Sequence, residues 1–67
     1  MQISARSQLK GRVKEVVLGT VMAEVVVDVG GQEVVSAITR RSAEALGLKA
    51  GDSVTVVIKA TEVMIGK

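Results

Sequence analysis

The sequence predicts a mostly β domain, and three observations predict it. Valine is the commonest residue and falls in short runs, a β-branched bias that favours strands. Proline is absent, so glycine is the only strong punctuation between those runs. Long patterns of helical period are nearly missing, which argues against a helical bundle.

The runs define the elements in order. "QLKGRVKEVVL", "TVMAEVVVDV", "QEVVSAIT", "DSVTVVIKA" and "TEVMIG" read as five strands. Gly30-Gly31 sits between two alternating runs and marks a two-residue hairpin, because glycine reaches the positive φ that primed turns require. In "RRSAEALGLKAG", Ser42 to Leu46 has the composition of a short helix, with Gly47 just past its end and Thr39 available as its cap. Five strands with one short helix between the third and fourth is the layout of a small OB-like barrel.

Size sets a second expectation. A chain of 67 residues buries only about 60% of the surface its unfolded form exposes. With Cys 0 and His 0, neither a disulfide nor a structural zinc site can compensate. Assembly into an oligomer remains. The strand faces agree: Val25, Val27 and Val29 can point inward, but Met22 and Val26 then share the outer face with Glu24 and Asp28. One interior cannot hold both sets, so outer faces are expected to be covered by other subunits.

The mean hydropathy of +0.42 is high, yet no apolar run approaches the roughly 20 residues that span a bilayer. The N-terminal "MQISARSQLK" lacks the pattern of a secretion signal. A cytoplasmic location without membrane attachment is the expectation. The pI near 9.4 reflects a net charge of only +2, too small for strong steering towards a polyanion.

Catalysis has little to draw on. There is no His or Cys for base or thiol chemistry, and no Ser or Thr lies in an activation motif. Carboxylates are too dispersed for a Ca²⁺ or Mg²⁺ site, and a transition-metal cation lacks its preferred ligands. The glycines match no phosphate-binding loop. What the chain offers is donors: Ser4, Arg6, Thr39, Lys59, Thr61 and backbone amides near glycines and element ends. Donors without acceptors select anions.

Three separated stretches, "ISARSQLKGRV", "VVSAITRRSAEALGLKAGDSV" and "VIKATEVMIG", closely resemble the molbindins, stand-alone molybdate-binding proteins built from a Mop domain. The likeness spans nearly the whole chain, so residues 1–67 are expected to form a single Mop domain. It departs at Ser7, where the family usually has asparagine. The resemblance implies an OB-like barrel assembled as a hexamer, a trimer of dimers, with molybdate or tungstate bound between subunits and no organic cofactor. It implies that Ser4, Ala5 and Arg6 of "SAR" and Lys59 and Ala60 of "KAT" hold the anion, joined by Thr39 of a neighbouring subunit. A second oxyanion site is placed around Thr20 and Val21 in "GTVMAE". The expected role is intracellular storage or buffering of the oxyanion, with delivery of molybdate to cofactor synthesis as the alternative, and not catalysis.

A rival reading is a small nucleic-acid binder. "ALGLKAGDSV" also resembles the turn of AbrB-type transcription factors, and OB-like barrels often bind single strands. The absence of any aromatic stacking platform argues against it.

Overall fold

The structure is a computed structural model describing residues 1–67. Strand β1 covers Ser7–Leu18, β2 Met22–Val29, β3 Gln32–Thr39 and β4 Ser53–Ile58; helix α1 covers Arg40–Ala45 and a single 3₁₀ turn covers Ala60–Glu62. The strands form one antiparallel sheet in the order β3-β2-β1-β4.

Strand β1 organises the sheet because it is long enough to have two partners. Its first half, Ser7 to Arg12, pairs with β4, and its second half, Arg12 to Leu18, pairs with β2. The changeover coincides with a register shift between Val13 and Glu15, a bulge that bends the strand. The bend is braced by the turn before β4: the Val13 N–H donates to the Asp52 carbonyl at 2.8 Å, and the Gly51 N–H donates to the Val13 carbonyl at 2.8 Å.

Gly30 and Gly31 have φ of 58° and 88°, as a primed hairpin turn requires, and they join β2 to β3 as expected. The Asp28 carboxylate accepts the Gly31 N–H at 2.9 Å and closes the turn. Helix α1 starts two residues before the expected Ser42, because Thr39 caps it directly: the Thr39 hydroxyl oxygen accepts the Ser42 N–H at 3.1 Å. Gly47 follows the helix with φ 62°.

Only Val13, Ala23, Val25, Val26, Val27 and Ala43 are buried, and Val13, Val25 and Val27 form the core cluster. Val16, Val29, Ile38, Leu48, Val54 and Val56 pack against it. The inward placement of Val25, Val27 and Val29 therefore holds. Val26 departs from the simple alternation: it is buried although Met22, assigned to the same outer face, is half exposed.

The sheet has four strands, not five. The expected strand "TEVMIG" is replaced by the 3₁₀ turn, in which the Glu62 N–H donates to the Lys59 carbonyl at 2.9 Å and the Val63 N–H to the Ala60 carbonyl at 3.4 Å. The residues beyond the turn join no ladder of the sheet, and Met64 and Ile65 remain about nine-tenths exposed, at 93% and 90%. The outer edges of β3 and β4 carry no ladder partner within the chain.

Candidate functional site

The β1–β4 ladder begins at the pair Ser7 and Ile58. The loop entering β1 and the turn leaving β4 must therefore lie side by side. A pocket opens there, lined by Ser4, Ala5, Arg6, Ser7, Lys59, Ala60 and Thr61. It unites five residues expected at the first oxyanion site, Ser4, Ala5, Arg6, Lys59 and Ala60.

No carboxylate lines this pocket. The chain's ion pairs are Lys14 with Glu33, Arg40 with Glu44 at 3.6 Å and Lys49 with Asp52 at 3.5 Å. Arg6 and Lys59 thus have no internal counter-ion. The backbone adds donors: the N–H groups of Ala5, Arg6 and Lys59 make no hydrogen bond within the chain. Two cations, three hydroxyl side chains and free amides converge where strand pairing has ended, and such a set accepts an anion.

Thr39 is not in this pocket. It lines a separate one with Thr20, Val21, Arg40, Arg41 and Glu44, between the β1–β2 turn and the start of α1. The structure therefore brings Thr39 beside the residues expected at the second site. Arg40 ties this region together: its N–H donates to the Val21 carbonyl at 2.8 Å and its Nη1 to the Gly19 carbonyl at 3.2 Å. The Thr39 hydroxyl is engaged in the cap and also donates to the Ser42 hydroxyl at 2.8 Å. With Glu44 on its wall, the second pocket is less one-sided in charge than the first.

Ser7 and Thr61 line the first pocket beside the five expected residues. Ser7 stood out in the sequence only as a departure from the family pattern, and Thr61 only as one donor among several. Arg40 and Arg41 of the second pocket were the single adjacent cationic pair in the sequence, a signal readable there but one that specified no site.

A four-stranded antiparallel sheet with one short helix and a cationic, carboxylate-free pocket at its strand ends defines a small β module. The chain belongs to the TOBE domain family, whose model matches residues 3–65. It is 54% identical over 66 residues to molybdenum-pterin-binding protein 3 of Clostridium pasteurianum, covering 97% of each chain. It superposes with a TM-score of 0.94 on a molybdate-binding protein from Sporomusa ovata, at 51% identity and full coverage of both chains. MopII from Clostridium pasteurianum, in an apo structure, gives a TM-score of 0.92 at 48% identity over 98% of this chain and 100% of that one.

Proposed function

We propose that this chain binds molybdate, and tungstate with it, at contacts between copies of itself, and that its role is cytoplasmic storage or buffering of molybdenum rather than catalysis. The observation that carries the reading is the pocket of Ser4, Ala5, Arg6, Ser7, Lys59, Ala60 and Thr61, which presents donors and two unpaired cations with no carboxylate. Molybdate is a tetrahedral dianion without a proton at neutral pH, so donors alone satisfy its oxygens. Phosphate keeps a proton near neutrality, and that proton would face donors with no acceptor. Sulfate must be rejected by size, whereas tungstate matches molybdate in charge and size.

The exposed apolar surface and free sheet edges support the same reading. Arg6 and Lys59 are exposed in the single chain, where water screens their attraction for an anion. Taking a dianion out of water costs on the order of several kcal/mol per charge, which a dry, two-walled site offsets better than an open one. Val35, Met64 and Ile65 are exposed apolar residues at 59%, 93% and 90%, and two sheet edges are free. A hexamer built as a trimer of dimers would cover such surface and bring Thr39 of a neighbour to the first pocket. The Thr20–Val21 pocket is the second, weaker site in this scheme. The oxyanion itself, rather than a pterin or other organic cofactor, is the ligand, since the chain has no aromatic ring on which a pterin could stack.

Elemental analysis of protein purified from molybdate-supplemented cells, with calorimetric titration of the anion-free protein, tests the proposal. Co-purified molybdenum and binding of molybdate and tungstate but not sulfate are expected. Protein that carries none and takes up none overturns it.

A further inference from the structure

Gln8 does not line the first pocket, yet it touches the loop that does at two points. Its side-chain Nε2 donates to the Ala5 carbonyl at 2.6 Å, and its backbone N–H donates to the Arg6 carbonyl at 3.0 Å. One residue at the start of β1 therefore engages both carbonyl oxygens of the loop segment that carries the key guanidinium.

The consequence follows from peptide geometry. All peptide bonds in the chain are trans, and in a trans peptide the N–H points opposite to the C=O. Holding the Ala5 carbonyl therefore fixes the direction of the Arg6 N–H, which belongs to the same plane. That N–H makes no hydrogen bond within the chain. Because the pocket is lined by residues 4 to 7 and not by Gln8, a carbonyl drawn towards Gln8 is drawn off the pocket wall.

We infer that Gln8 is a positioning residue for the oxyanion site: by holding the Ala5 and Arg6 carbonyls it keeps acceptor oxygens from facing the anion and aims the Arg6 N–H at it. The inference rests on the oxyanion reading proposed above. Its physical basis is preorganisation. A donor already oriented before the ligand arrives needs no rearrangement on binding, whereas an unheld Ala5–Arg6 peptide can rotate and present its carbonyl to a dianion. Gln8 acts without touching the ligand, much as outer residues orient the groups that hold a metal. The same clamp gives the loop a support that does not depend on the side chain of Ser7.

The test compares wild type with Gln8→Met, which keeps the length of the side chain and removes its donor, and with Gln8→Glu, whose carboxylate repels the Ala5 carbonyl at neutral pH. Calorimetric titration with sodium molybdate should show roughly tenfold or greater loss of affinity in both variants. The melting temperature of the anion-free protein and its size in solution should not change. In ¹⁵N-resolved spectra, the Arg6 amide should shift on molybdate addition in wild type and respond much less in Gln8→Met, while the Lys59 and Ala60 amides keep their response. A Gln8→Met protein with wild-type affinity and a wild-type Arg6 response overturns the positioning role and leaves the oxyanion reading standing. So does a loss of affinity that merely parallels a fall in melting temperature. Wild-type protein that binds no molybdate overturns the oxyanion reading, and the inference falls with it.

Discussion

Arg6 and Lys59 share one pocket because the residues just inside them, Ser7 and Ile58, are partners at the start of the β1–β4 ladder. Two like charges are thus brought together by main-chain pairing and not by any attraction between them. Such an arrangement is unfavourable alone and is relieved by a bound anion.

Arg6→Ala removes one of the two cations and the planar fork that can give paired hydrogen bonds. The expected loss of molybdate affinity is about 2–5 kcal/mol, the range found when one member of a buried charge pair is truncated. Arg6→Lys should restore part of it, because charge returns without the fork. Calorimetry on both variants is the measurement.

Thr39 carries two separable roles. Thr39→Ala removes the cap of α1 and should lower stability by about 1 kcal/mol. Thr39→Asp keeps a capping oxygen for the Ser42 N–H but places a carboxylate at the position proposed to face a neighbour's anion. Near-normal stability with weakened molybdate binding is expected for Thr39→Asp, read by thermal melting and titration of the same samples. Unchanged affinity in that variant would remove Thr39 from the shared site.

Gly11 is required by space and not by backbone angle. A Cβ there would lie 2.6 Å from Val27 Cγ1 and 2.7 Å from the Asp28 carbonyl oxygen. The second of these is backbone on a paired strand and cannot swing aside. Gly11→Ala should destabilise the domain by about 1–3 kcal/mol, the usual range for overpacking a well-filled interior, and chemical denaturation of the monomer or assembly checks it.

Lys14 is the residue at the β1 bulge, and it crosses β2 to hydrogen-bond and ion-pair with Glu33 on β3. The hydrogen bond and charge of Glu33 raise the Lys14 pKa above its ordinary 10.5. A raised lysine pKa adds stability that is fully present below the unfolded value and disappears as pH rises through the folded one. Melting temperature should therefore fall more steeply above pH 10 in wild type than in Lys14→Met, although the effect is small because both side chains are exposed.

How far the sequence reveals this molecule depends on whether a feature is decided locally. The Gly30–Gly31 hairpin is legible because positive φ is a property of those two residues. The cap at Thr39 is legible for a similar reason, and because Thr39 caps directly, the helix starts at Arg40 and not at Ser42. Thr61 to Gly66 misleads because its residues favour a strand, yet strand formation is decided by pairing with a partner, and this segment pairs with none of the four strands. At the site, the "SAR" and "KAT" segments are legible through family resemblance, and the ladder explains why they meet. Gln8 leaves no such trace: its hold on Ala5 exists only once the loop has turned back on itself.

The pairing of Ser7 with Ile58 also fixes an order of events during synthesis. The loop bearing Arg6 leaves the ribosome well before the turn bearing Lys59, and the β2–β3 hairpin and the β1–β2 ladder can close in the interval. The β1–β4 ladder must wait for the later segment. A ribosome-tethered fragment halted ahead of Ile58 would carry half of the cationic set and no enclosure, so the pocket is complete only at the last stage of biogenesis.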